Sequence, residues 1–461
     1  MQPWHSDNPA LAKAFTPVFD ERDDTDLQVE GALPACLNGV FMRNGPNPQF
    51  EPGPGYAYPY DGTGMIHALH LEAGRARYRN RWVLTRELQE ERLAGRRIYN
   101  PTFGPPPQAN LANTNVLRHA GRLYALYEGG CPYVMDGALA TVGPETFQGR
   151  LAGALSAHPK VDPASGEMLA VNYDLIAGTL EYLRVNAQGQ VDRQVQFASP
   201  WPALVHDIGL TATHVVAFVC PLVFDFSRGS AAPSWEPQRG TRVLLVPRDC
   251  ADPAQIRWIE ADPFFNWHIA NAHTDGAVIE AVMPWHDGYG PGARKRLELH
   301  RLRIDLTSGR VEDQVLDDQA CEFGRVNDAW LGRRARYCYV GLRDPRPGET
   351  PQPGTFEAFA RYDLDTGAKS VFRLPPGQTA CEPVFAADPQ GAGEADGYIL
   401  SFVHAADDAG RPSPDGLFIV LDARDLAAGP VARVRLPRRV PAGLHGSWMP
   451  APAADADQPR R

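Results

Sequence analysis

Histidine is the side chain through which this sequence could do chemistry near neutral pH, and 13 of them are spread along its 461 residues. In the stretch FFNWHIANAHTDG, residues 264–276, His268 and His273 stand five positions apart. Two ligands of one metal fall at i and i+4 on a helix, or at i and i+2 on a strand, so a spacing of five sends the rings to different faces of either element. At most one of the two belongs to a shared site. For a lone histidine, a packed or solvated role is commoner than ligation. Spacing supplies a stricter test: His158, His206, His268 and His445 are separated by 48, 62 and 177 residues, and Glu322 and Glu382 divide the last interval into 54, 60 and 63. One such group per repeated structural unit would converge on a common axis, and the spacing is compatible with this set without singling it out.

The elements that must position these residues are short strands. One turn recurs between them, in KVDPASGEMLAV at Asp162, RIDLTSGRVEDQ at Asp305, RYDLDTGAKSVF at Asp363 and, more loosely, VLDARDLAAGPVARV at Asp422. Each joins a strand ending in Asp to a returning strand through a glycine-containing loop. The last three aspartates are spaced by 58 and 59 residues, the length of a large propeller blade of four strands with its loops. Seven such units nearly exhaust the chain. NPALAKAF near the start, with an Asn cap and Pro at the first helical position, reads as a short helix, and DPAQIRWIE (252–260) reads similarly. Everything else reads as β. The expectation is an all-β fold, a seven-bladed β-propeller spanning 1–461, with an N-terminal arm over 1–30 that carries the short helix and a flexible tail over 452–461.

Composition narrows the function. With 43% apolar and 22% charged residues the chain can bury a large core, while a net charge of -10 argues against a phosphate-binding surface for nucleic acid. The N-terminus lacks a basic start followed by an apolar core, and VVAFVCPLVF (215–224) is too short for a bilayer span. Seven cysteines scattered singly, without a CxxC pair, fit reduced thiols in a cytoplasmic compartment. HExxH, GxSxG and P-loop patterns are absent.

A set of motifs then runs in order along the chain: GVFMRNGPNPQF (39–50), YDGTGMIHAL (60–69), NTNVLRHAGRLYALYEGGCPY (113–133), AHPKVDPASGE (157–167), HDIGLT (206–211), HIANA (268–272), EFGRVN (322–327), EPVF (382–385) and GLHGSW (443–448). This set resembles the carotenoid cleavage oxygenase family. The resemblance implies a seven-bladed propeller with a small helical or loop cap over one face and a non-haem Fe(2+) ion on the axis. It implies His158, His206, His268 and His445 as the metal ligands and catalytic centre, with Glu128, Glu322 and Glu382 behind them. Four neutral imidazoles suit Fe(II) and leave positions open for dioxygen. Carboxylates accepting the outer ring N–H groups would fix each tautomer and aim each ring. Three carboxylates cannot serve four histidines, so one ring must find another partner or stay free. The implied reaction is oxidative cleavage of a C=C bond to two carbonyl products, with dioxygen and an apolar substrate as partners.

Within the motifs, Gly324 stands where the family usually has proline, which would loosen the backbone near Glu322. HIANA keeps His268 and Asn271, and His273 follows into a turn. His67 and His70 read as fold residues, Asp61, Gly62 and Gly64 as turn chemistry, and His214, His286, His300 and His404 lack motif context. Stilbene-cleaving relatives tend to carry Lys immediately before the first glutamate; Tyr127 stands there and favours a carotenoid or apocarotenoid over stilbenes and phenylpropenes. A hydrolytic or isomerising enzyme on the same scaffold is a more distant reading, and a propeller that only binds is the remote one. The segment CPLVFDFSRGSAAPSWEP (220–237) reads as an insertion between blades that could give peripheral membrane contact.

Overall fold

The computed structural model describes residues 8–52, 56, 58–102, 107–226, 232–290, 296–347, 351–407 and 411–452. Seven antiparallel sheets of four or more strands follow one another and form a seven-bladed β-propeller. The second blade runs Asn115–His119, Arg122–Leu126, Tyr133–Met135 and Thr141–Pro144, and the third Lys160–Val161, Met168–Asp174, Thr179–Val185 and Val191–Ala198. The fourth is Gly209–Leu210, His214–Val219, Thr241–Pro247 and Arg257–Ala261; the fifth is Asn271–Asp275, Val278–His286, Leu297–Asp305 and Val311–Asp317. The sixth is Cys321–Arg325, Tyr337–Leu342, Ala358–Asp363 and Lys369–Arg373.

The first and last blades each borrow a strand across the closure. Gly446–Pro450 pairs with Gly39–Pro46 in the first blade, and Val29–Gly31 pairs with Pro430–Leu436 in the last. Blades pack face to face, so their middle strands are apolar on both sides: Val215, Val216, Ala217, Phe218 and Val219 are all buried. Leu169, Val171, Leu180 and Tyr182 of the third blade share one core cluster with Val215, Ala217, Leu244 and Val246 of the fourth.

The recurrent turns have one chemistry. The Asp162, Asp305 and Asp363 carbonyls accept the N–H of Gly166, Gly309 and Gly367, each at 2.8 Å, and their carboxylates accept further loop N–H groups. Those glycines have φ of +72°, +71° and +74°, the left-handed region where a Cβ is strained. The turns at Asp305, Asp363 and Asp422 join the third and fourth strands of a blade, which explains their even spacing, whereas the Asp162 turn joins the first and second.

Three expectations need correction. NPALAKAF is not one helix: it breaks into two 3-10 turns, Pro9–Leu11 and Lys13–Phe15, because Ala12 is extended between them. DPAQIRWIE is a single 3-10 turn, Pro253–Gln255, with a capping box on Asp252, and the β-branched and aromatic residues after it enter the strand Arg257–Ala261. An α-helix that the β reading missed, α1 (Arg86–Ala94), caps the first blade, started by the Thr85 side chain on the Leu88 N–H and stopped by Gly95 in the left-handed conformation. His5 and the tail residues 453–461 lie outside the described residues, as do 227–231 of the insertion. No helix among the described residues is long and apolar enough to cross a membrane, and all seven cysteines are free.

Candidate metal centre

Each histidine of interest sits just before the innermost strand of its blade: His158 before Lys160–Val161, His206 before Gly209–Leu210, His268 before Asn271–Asp275 and His445 before Gly446–Pro450. Four of the seven blades therefore deliver their loops to one axis. One nitrogen from each of the four rings lies within 4.8 Å of the others, at the centre of the propeller. His158 touches all three of its neighbours, with ring centroids at 4.5, 5.0 and 4.3 Å from those of His206, His268 and His445.

The outer nitrogens are assigned by their partners. His206 Nδ1 lies 2.9 Å from Glu128, His268 Nδ1 lies 2.6 Å from Glu322, and His445 Nδ1 lies 3.1 Å from Glu382. A carboxylate only accepts, so each Nδ1 carries the proton and each Nε2 turns a lone pair inward. His268 Nε2 and His445 Nε2 then face each other at 3.2 Å, acceptor against acceptor. His158 is the ring without a carboxylate, and its Nε2 is buried with no hydrogen-bond partner. Three inward lone pairs beside the unpartnered Nε2 of His158 are what a cation corrects, and imidazole donors suit a transition metal. The residues present fit a metal ion.

Electrostatics agrees. Burial, then the neighbouring rings, hold His158 well below its ordinary range, and the same causes hold His445 down at about 4 against the pull of Glu382. Burial opposes the charged form of His206 as well, but the Glu128 carboxylate outweighs it and the net shift is upward. Burial opposes ionisation of Glu322 and Glu382, yet both stay below the usual carboxylate range: His268 and His286 hold the first, Arg325 and His445 the second.

The carboxylates have further partners that sequence reasoning missed. Glu322 also meets His286 Nε2 at 3.3 Å and accepts the Phe323 N–H at 2.7 Å. Glu382 meets Arg325 at 3.2 Å and accepts the Gly446 N–H at 2.8 Å. His286 belongs to the strand Val278–His286, and nothing in its local sequence announces that contact. Phe323, at φ +54°, is held in the left-handed region, and its ring contacts His268 and His445 at centroid distances of 5.0 and 4.9 Å.

Other expectations resolve as follows. His273 is inside the strand Asn271–Asp275, opposite Glu280, and not in a turn. His67 and His70 lie in the strand Gly64–Glu72, as read. Asp61 is a buried hub that pairs with Arg97 at 2.9 Å and accepts the Thr102 N–H and hydroxyl, so it does more than shape a turn. Gly324 does not loosen anything: a Cβ there would stand 2.8 Å from the Ala270 Cβ, so the close approach of two blades requires glycine. Tyr127, beside Glu128, reaches Thr102 Oγ1 at 3.4 Å.

Comparison with known proteins points the same way. The family model described as retinal pigment epithelial membrane protein matches residues 15–450. A carotenoid cleavage oxygenase of Mycobacterium tuberculosis is 32% identical, with 96% of this chain and 98% of that protein covered. The crystal structure of a lignostilbene dioxygenase of Pseudomonas brassicacearum superposes with a TM-score of 0.87 at 30% identity, covering 98% of this chain and 100% of that one. A cobalt-substituted apocarotenoid oxygenase of Synechocystis gives a TM-score of 0.85 at 29% identity over 95% of this chain and 98% of that one. With its sheets, its four converging rings and a family match over nearly its whole length, the chain belongs to the retinal pigment epithelial membrane protein family of carotenoid cleavage oxygenases.

Proposed function

We propose that this protein is a non-haem Fe(2+) dioxygenase that cleaves a C=C bond of a carotenoid or apocarotenoid to two carbonyl products, with His158, His206, His268 and His445 as the iron ligands. The observation that carries the proposal is the convergence of four inward ring nitrogens, three of them oriented by Glu128, Glu322 and Glu382. When bound, the iron would supply dioxygen activation beside the alkene. The chain's own part is to aim the four rings inward, to place negative charge behind three of them, and to keep water from the reacting bond.

Its surroundings suit an apolar substrate. Phe323 lies against His268 and His445, and Trp267 against His206 at a centroid distance of 5.0 Å. A mostly apolar cavity of about 610 Å³ opens among Pro9, Ala10, Phe15, Tyr56, Pro59 and Pro353. Phe15 of its lining meets Tyr60 at 5.6 Å, and a Cβ placed on Gly354 would be 2.5 Å from the Tyr60 hydroxyl and 3.6 Å from Phe323. Such a wall orients an extended polyene by dispersion, leaving the double bond beside the metal.

Stilbene cleavage is the second reading, favoured by the superposition on the lignostilbene dioxygenase. Tyr127 speaks against it, since a neutral phenol cannot replace a lysine opposite a phenolate. The deciding experiment is aerobic incubation of Fe(II)-loaded protein with apocarotenals and with hydroxystilbenes, products read by mass. Shortened apocarotenals support the proposal; benzaldehydes alone transfer it to stilbenes; no cleavage by iron-replete protein of either set rejects it.

A further inference from the structure

Behind the candidate metal centre lies a fourth carboxylate that neither motif spacing nor the histidine partners explain. Asp207 directly follows His206, and its side chain is 2% exposed. Its Oδ1 accepts the Ile208 N–H at 2.7 Å and meets Lys160 Nζ at 2.7 Å; its Oδ2 accepts the Ile269 N–H at 2.8 Å. Lys160 is two residues from His158, and Ile269 is next to His268. One carboxylate therefore touches the backbone or side chain beside three of the four histidines, each delivered by a different blade, the third, fourth and fifth.

His445 is tied separately. Glu382, from the loop before the Val384–Ala387 strand of the last blade, takes Arg325 of the sixth blade and the Gly446 N–H, whose strand belongs to the first. The ring of loops is thus held by two clamps, one spanning His158, His206 and His268, the other holding His445. We propose that Asp207, with Lys160, is a positioning residue that fixes three metal ligands as one body, an inference that rests on the four-histidine metal reading above. Asp207 bonds none of the imidazoles itself; it acts through the backbone on either side of them.

The physical case is specific to the carboxylate. Both oxygens are committed to N–H donors, and an amide at this position must turn its NH₂ either toward the Ile269 N–H or toward the Lys160 ammonium, donor against donor. A buried pair that loses one partner leaves an uncompensated charge, so relaxation would draw Lys160 and the His158 loop away. The displaced quantity is ligand geometry, which a general loss of stability does not mimic at temperatures well below unfolding.

The test uses Co(II) as the probe metal on the full chain, with affinity from chelator competition and coordination from the visible absorption of the bound ion. Asp207→Asn is expected to weaken Co(II) binding about tenfold or more and to change the absorption, in the range seen when groups supporting metal ligands are removed. Lys160→Met, which keeps the aliphatic stem and both backbone contacts of Asp207, should show a smaller change in the same direction, and Lys160→Arg should recover the wild-type spectrum. Folded Asp207→Asn with wild-type affinity and spectrum overturns the inference; if that variant does not fold, unchanged binding in Lys160→Met overturns it instead. Wild-type protein that takes up no Co(II) is a separate result, which removes the metal reading itself and this inference with it.

Discussion

The close approach of Gly324 to Ala270 behind the site sets a quantitative expectation. A methyl group built on Gly324 would lie 2.8 Å from the Ala270 Cβ, where an ordinary contact is about 3.5–4.0 Å. Ala270 is buried in the loop two residues beyond His268, while Gly324 is two residues beyond Glu322, so a shift of either segment would press on one end of the 2.6 Å His268–Glu322 hydrogen bond. Gly324 does not have a positive φ, so backbone strain plays no part and the cost of Gly324→Ala is steric. Overpacking of a well-filled interior costs about 1–3 kcal/mol. Removing the opposing methyl in Ala270→Gly/Gly324→Ala should return much of that loss, giving a coupling of about 1 kcal/mol or more between two residues that share one gap. Urea denaturation of the two single variants and the double variant closes the cycle, and metal retention of each reports whether the strain reaches His268. A stability change below about 0.5 kcal/mol in Gly324→Ala, with no coupling to Ala270, would refute the reasoning.

Further outcomes follow from the same structure. Glu382→Gln removes the charge shared by His445 and Arg325 and should lower metal affinity about 10–100-fold; undiminished affinity in chelator competition contradicts the role given to Glu382. His404, outside the metal centre, is buried and neutral, held at about 3 by burial first and by Arg43 second, while burial holds His67 low as well. Because the folded values are depressed, the unfolded chain takes up protons first, so stability is intact above about pH 6.5 and falls as pH drops toward the folded values, by about 1.4 kcal/mol per unit for each ring. Urea midpoints at pH 6.5, 5.5 and 4.5 check this, with a shallower slope expected for His404→Gln; a midpoint that rises on acidification contradicts it. Thr85→Ala removes the oxygen that accepts the Leu88 N–H and should cost about 1 kcal/mol, seen as early exchange of the amides of Arg86–Ala94.

What could be read from the sequence divides along physical lines. The four histidines and the three glutamates stood in local motifs, and the structure brings the rings together and gives Glu128, Glu322 and Glu382 one imidazole each, leaving His158 without a carboxylate. The all-β propeller was legible because its turns repeat, each demanding an Asp and a left-handed glycine. The helix α1 was not, since RELQEERLA buries only Glu87, Leu88 and Glu91 and shows no apolar stripe; its signals were the cap residues Thr85 and Gly95. Asp207, His286 and Arg325 were given no role because their partners come from other blades, and local sequence does not show which residues another blade brings near.

The double fastening of the ring has a consequence for biosynthesis. Gly39–Pro46 pairs on one side with Gly64–Glu72 soon after both leave the ribosome, but its other edge waits for Gly446–Pro450. At about 5–20 residues per second, some 400 residues of translation keep that edge open for roughly 20–80 seconds. An open strand edge is a template for pairing with another chain, so this interval is when a nascent molecule most needs a chaperone. His445 arrives in the same step as the closing strand. A stalled or truncated chain therefore lacks its seal and its fourth imidazole together, and on the proposed reading its ligand set is complete only when the ring closes.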